Sequence, residues 1–163
     1  MYAQIVRALG IDYGRRRTGL ALSDATGMLA RPWKTIDGGG GPRRVATRLA
    51  TEIEALASES DGLAAVVVGH PRRLNGEATD QTAVVEAMVG ELRRLIGLPI
   101  VLQDERLTSH EAETLLARRE KDWRKRKALL DAASAAIILQ DYLDGQARPA
   151  LRPGPIEFGE YDE

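Results

Sequence analysis

Residues 63–69, LAAVVVG, constrain the fold more than any other stretch. The run is short, uncharged and β-branched, which is the pattern of a central strand in a parallel sheet covered on both faces. Helical periodicity flanks it. Val45, Leu49, Ile53 and Leu56 fall at i, i+4, i+8 and i+11, one apolar face of a helix that starts at Pro42 and runs to about residue 60. Val84, Met88, Leu92 and Leu95 mark a second helix near 80–96, and PIVLQDE then predicts a strand over 99–104. Strand–helix–strand units of this kind imply right-handed crossovers and parallel pairing.

The N-terminal third reads differently. Residues 4–12 and 18–23 predict two strands, joined by the short GRRR connection of a hairpin. A third strand is expected near 30–36, after the turn signal DATG, and the Gly-rich IDGGGGPRR then breaks the pattern. Towards the C-terminus, Thr108 and Glu111 form a T-x-x-E capping box, so a helix is expected from Ser109. The basic stretch RREKDWRKRK is read as an interruption, followed by a last helix over about 128–143. The order βββαβαβαα describes a single α/β domain: a mixed five-stranded sheet with an antiparallel opening hairpin and helices packed on it. The domain is placed at 1–146. Residues 147–163, acidic and Pro-containing, are expected to be a poorly ordered tail.

Several chemistries are excluded. The 163 residues contain no cysteine, which removes disulfides, thiolate nucleophiles and most zinc sites, and two histidines are too few for a histidine-rich metal centre. P-loop, G-x-S-x-G and H-E-x-x-H motifs are absent from the sequence. The N-terminus lacks the pattern of a signal peptide, and no apolar run approaches the ~18 residues of a membrane span, so a cytoplasmic protein without membrane contact is expected. The net charge of −1 hides an asymmetry: the last seven residues carry four acids, and without them 23 bases face 20 acids. Arg15-Arg16-Arg17, Arg72-Arg73 and Arg124-Lys125-Arg126-Lys127 are among the basic clusters. Sharing one face, they would attract an anion; apart, they are solvated surface.

Three carboxylates stand where a carboxylate is costly. Asp12 lies in the apolar strand IVRALGID, Glu105 just past PIVLQD, and Asp131 on a helical stripe continued by Ala135, Ile138 and Tyr142. A buried carboxylate needs a partner or a cation. Each alone is satisfied by an ion pair with one of the arginines, or by a cap near a helix start. Together they suggest more. The C-terminal ends of parallel strands open onto one edge, where Asp12 and Glu105 can meet and a helix can present Asp131. All-oxygen acidic ligands suit Mg²⁺ or Mn²⁺, and two such ions can drive phosphodiester cleavage.

The segments ALGIDYGRRRTGLALSD, VVVGHPRRLNGEATDQT, DERLTSHEA and DAASAAIILQDYL together resemble the YqgF family of RuvC-like Holliday junction resolvase homologues, also described as pre-16S rRNA nucleases. The resemblance covers about residues 7–144. It implies a ribonuclease H-like fold and an acidic metal site whose members map onto Asp12, Glu105 and Asp131. It implies a metal-dependent endonuclease acting on structured nucleic acid, pre-16S rRNA first and a DNA junction as the alternative, working as a monomer or homodimer. Two features depart from the family pattern: His70 stands where an apolar residue is usual in the G-x-P loop, and Arg72 and Arg73 make that loop more basic.

Candidate nucleic-acid contacts are Arg15, Arg16, Arg17, Arg72, Arg73, Asn75, Arg106, Trp123, Arg124 and Lys125. Arginine forks suit phosphate oxygens, and Trp123 offers a stacking surface for a base. Each also has a plainer reading: Arg17 closing the hairpin, Arg106 fastening a loop, Asn75 serving a turn. Two other functions fit parts of the sequence. G-I-D-Y-G followed by T-G also resembles the first phosphate loop of actin-like ATPases, although those folds use two such domains. A non-catalytic RNA- or polymerase-binding module would use the basic clusters alone.

Overall fold

The computed structural model describes residues 4, 6–105 and 123–147, with backbone alone for 123–129 and 147. Five strands form one sheet: β1 (Ala8–Tyr13), β2 (Arg17–Ser23), β3 (Ala30–Asp37), β4 (Ala65–His70) and β5 (Ile100–Asp104). Helices α1 (Pro42–Ala57), α2 (Asp80–Leu95) and α3 (Trp123–Ala147) pack on it. The spatial order is β3-β2-β1-β4-β5. β1–β2 and β2–β3 are antiparallel, while β1–β4 and β4–β5 are parallel. The mixed sheet is therefore the one the sequence predicts, with β1 at the junction of its antiparallel and parallel halves.

Strand alternation sends two different sets of side chains to the two faces. Leu9, Ile11, Tyr13, Leu20, Val66 and Val68 join Val45, Leu49, Ile53, Val85, Met88 and Leu92 of α1 and α2 in the larger core. On the opposite face, Ala8, Ala21 and Val67 pack against Ala135, Ile138, Leu139 and Leu143 of α3. Small residues on that face let the helix lie almost on the sheet. A Cβ at Gly19 would overlap the carbonyl oxygen of Asp131, and one at Gly10 would stand 2.7 Å from Leu139 Cβ. Close backbone approach is what glycine permits here.

Local details differ from the sequence reading in three places. The first strand starts at Ala8 rather than residue 4, because Arg7 turns inward: its Nη2 donates to Leu56 O, its Nε to Gly62 O, and its Nη1 pairs with Glu59. The buried stripe of α2 runs through Val85, Met88, Val89 and Leu92, and Leu95 is half exposed. Residues 123–127 begin α3 rather than interrupting it. Arginine and lysine are good helix formers and the stretch has neither glycine nor proline, so charge alone does not end the helix. The capping box at Thr108–Glu111 and residues 148–163 of the tail lie outside the described residues.

Candidate active site

Asp12 enters the site because β1 alternates. Gly10 and Asp12 share the α3 face, and Asp12 is paired with Gly19 of β2. The bare Gly19 lets the backbone of α3 at Asp131 settle directly over this pair. Glu105 follows the last residue of β5, and its backbone N–H reaches His70 O at 3.4 Å. A Cβ at Gly69 would stand 2.8 Å from Glu105 Oε2, so the glycine one residue before the end of β4 makes the space that the Glu105 carboxyl occupies. Three elements far apart in sequence thus deliver carboxyls to the C-terminal edge of the parallel strands.

Asp12 and Glu105 are hydrogen-bonded to each other. Burial pushes the Asp12 carboxyl up to about 7, and the charge of Asp131 pushes it the same way. Burial likewise pushes Glu105 up to about 8, reinforced by the charges of Asp12 and Asp104. Each carboxyl also acts on the other, so the two titrate together and both hold a proton more tightly than a free carboxylate. Among the described residues no lysine, arginine or histidine forms an ion pair with either acid. Within the described residues, neither acid has the arginine pairing that each taken singly allows. Also among the described residues, no three acidic or histidine side chains are already gathered as a ligand set: Asp12 and Glu105 face each other, and Asp131 acts on Asp12 through its charge. The donor chemistry still fits a hard divalent cation, because Asp12 and Glu105 present carboxyl oxygens to one cleft and the charge of Asp131 reaches Asp12.

A cleft of about 420 Å³ opens over the pair, lined by Asp12, Tyr13, Arg15, Arg72, Gln81 and Glu105 among others. A neighbouring hollow joins Asp131 to Gly14, Arg15, Arg16 and Arg17. The β1–β2 hairpin arginines thus flank the acids, and all three are exposed. Arg72 stands on the cleft, whereas Arg73 is exposed in the turn beyond it. Asn75 serves that turn: its Oδ1 accepts from Glu77 N–H at 3.0 Å beside Gly76 at φ 87°. Trp123, Arg124 and Lys125 occupy the first turn of α3, and Lys125 precedes Asp131 by six positions, about 9 Å along the helix axis. Arg106 lies outside the described residues.

Gln81 was not among the sequence candidates. It lines the cleft and donates from Nε2 to Tyr13 O at 3.1 Å, tying the start of α2 to the end of β1. A faint signal existed. Thr79 caps α2 reciprocally with Thr82, and the resulting box has threonine at its third helical position instead of the usual Glu or Gln. Seen in T-D-Q-T, that box would have placed Gln81 in the first turn, at the mouth of a strand-end site.

Known proteins resemble this chain in sequence and in fold. Residues 6–145 match the RuvX family, described as "Holliday junction resolvase". A Roseiflexus sp. protein named "Putative pre-16S rRNA nuclease" is 42% identical over 86% of this chain and 95% of its own length. Proteins of the same name from Opitutus terrae and Nocardioides sp. are 36% and 37% identical over 93% and 91% of this chain, and 100% and 94% of theirs. Thermus thermophilus RuvC in complex with a Holliday junction substrate superposes with a TM-score of 0.52 at 16% identity, covering 87% of this chain and 96% of that one. The fowlpox virus Holliday junction resolvase gives 0.55 at 11% identity, covering 86% and 99%. These structural likenesses establish the ribonuclease H-like fold, and the sequence matches go further: the chain belongs to the RuvX family of nucleases, hydrolases of phosphodiester bonds.

Proposed function

We propose that this chain is a divalent-metal-dependent endonuclease that matures the 5′ end of pre-16S rRNA in the cytoplasm. The observation that carries the reading is the half-buried Asp12–Glu105 pair on one cleft, with the charge of Asp131 reaching Asp12. Asp12, Glu105 and Asp131 would hold Mg²⁺ or Mn²⁺, and loading would displace protons that the raised carboxyls hold. A divalent ion bound there supplies an activated water and stabilises the leaving oxygen. Arg15, Arg16 and Arg17 beside Asp131, and Arg72 on the cleft, supply the positive rim along which a phosphate backbone would lie. Trp123, Arg124 and Lys125 would extend that surface from the first turn of α3. The names of the sequence relatives favour pre-16S rRNA as substrate.

Cleavage of a pre-16S rRNA fragment carrying its 5′ extension, with Mg²⁺ or Mn²⁺, tests the reading. Asp12→Asn should lower the rate by at least about 10³-fold, the equivalent of losing several kcal/mol of metal-assisted stabilisation. Wild-type activity in that variant would overturn it. The family description and the likeness to RuvC support a second reading, Holliday junction resolution by a homodimer. A four-way DNA junction assayed in parallel separates the two: paired symmetrical nicks there, with the rRNA fragment left intact, select the second.

A further inference from the structure

His70 and Arg72 depart from the family pattern together, and the structure joins them. His70 ends β4, and its ring is largely buried. Arg72 donates from Nε to His70 Nδ1 at 3.3 Å and from Nη1 to Gly76 O at 3.0 Å. On the other side of the ring, His70 Nε2 lies 2.9 Å from Glu86 Oε1 on α2. A guanidinium can only donate, so Nδ1 must be an acceptor. The ring is then the neutral tautomer with its proton on Nε2, donated to Glu86. A chain of Glu86, His70 and Arg72 thus runs from an anchored helix to the mouth of the cleft.

Two anchors hold the guanidinium plane. Among the described residues Arg72 Nη2 has no partner, while Arg72 lines the same cleft as Asp12 and Glu105. We infer that Glu86 and His70 are positioning residues that aim the open edge of Arg72 at a backbone phosphate of the nucleic acid entering the cleft. This rests on the nuclease reading for its substrate class. Neither partner touches the substrate. They act by fixing a long side chain that would otherwise lose rotamer freedom on binding, so their contribution is pre-organisation. An apolar residue at position 70 offers Arg72 Nε no acceptor.

A double-mutant cycle read by binding tests this. The probe is a fluorescein-labelled RNA stem-loop with a single-stranded 5′ flank, followed by anisotropy in EDTA so that no cleavage occurs. Arg72→Ala should weaken binding about 10-fold, the loss of a charge-assisted contact. His70→Leu and Glu86→Ala should each weaken it about 3-fold to 5-fold, and should add nothing in the Arg72→Ala background. Glu86→Gln keeps an acceptor for Nε2–H and should restore wild-type affinity. With the rRNA fragment and Mg²⁺, His70→Leu and Glu86→Ala should raise KM and leave kcat within about twofold. Unchanged affinity in Arg72→Ala overturns the inference. So does a His70→Leu effect that persists in full without Arg72, as a merely structural role would give, or a Glu86→Gln variant as weak as Glu86→Ala. Failure of wild type to cleave, with the binding cycle still coupled, would count against the nuclease reading and leave the positioning intact.

Discussion

The two faces of the sheet are built by the same alternation and to opposite ends. Towards α1 and α2, the strands present Leu9, Ile11, Leu20, Val66 and Val68, and the helices answer with equally bulky side chains. Towards α3, they present mainly small residues, Ala8, Gly10, Gly19, Ala21 and Gly69, beside Val67, with Asp12 among them. Bulk on the first face removes apolar area from water and supplies stability. Its absence on the second brings a helix backbone to the sheet and lets Asp131 stand over Asp12. Burying charge on that face is costly, so it cannot be the main source of folding energy. One face holds the molecule together and the other aims its chemistry.

The sharpest way to break this contrast is to give the second face a side chain. The Cβ of Gly19→Ala would meet backbone atoms of Asp131 and Ala132, which no rotamer change can clear. α3 must move away, carrying Asp131 from Asp12. Cleavage should fall by about 10²-fold or more, the usual cost of a displacement near 1 Å in a catalytic constellation. Stability should fall as well, as in other overpacked sites. Steady-state cleavage together with a thermal melt reads both. A Gly19→Ala protein with wild-type turnover would mean that the close approach of α3 is incidental.

The converse change removes bulk from the first face. Leu49 is fully buried among the α1 side chains that cover the sheet. Leu49→Ala should reduce the free energy of unfolding by about 2–5 kcal/mol, read by urea denaturation. Cleavage per folded molecule should stay within about twofold, since the acids lie across the sheet and distant sites act independently. A large loss of turnover in a still-folded Leu49→Ala protein would join the two faces into one unit.

This division was legible where local pattern decides it. LAAVVVG has no polar face, and a strand with that property needs cover on both sides. The apolar spacing in α1 followed the helical period, and all four predicted positions are buried there. In α2 the spacing was misplaced by one residue at Val84/Val85 and ran one turn too far, to Leu95. Both stripes are apolar in sequence, and only the tilt of the helix on the sheet separates them. Asp12, Glu105 and Asp131 were singled out because their surroundings make a carboxylate costly. That two of them would come close enough to shift each other's titration was not legible, because it depends on Gly69 and Gly19 opening room for the carboxyl and the helix. The Glu86–His70–Arg72 chain was hidden for another reason: it crosses from a helix to a strand end and back to a turn, and no sequence period links those positions.

The last expected effect isolates the second face without altering packing. In the unfolded chain the two acids titrate near 3.8 and 4.5, whereas in the fold burial raises them to about 7 and about 8. Groups so raised retain a proton in the native state that the unfolded chain has lost, so their contribution is complete below the unfolded values. It disappears as pH rises towards the folded ones. The metal-free protein should therefore lose stability between about pH 4.5 and 8, at up to about 1.4 kcal/mol per pH unit for each retained proton. Asp24 and Asp37 do not interfere. Hydrogen bonds, from Thr26 to Asp24 and from the Gly39 N–H to Asp37, lower both, so they act only as pH falls below their ordinary carboxylate range. Urea denaturation across this range should show the slope in wild type and a shallower one in Asp12→Asn, which has one acid fewer to ionise. Added Mg²⁺ should stabilise the protein most at the alkaline end, where it no longer competes with the proton. A slope indifferent to Asp12→Asn would place the titrating groups elsewhere and leave the acidic face no different, in this respect, from the apolar one.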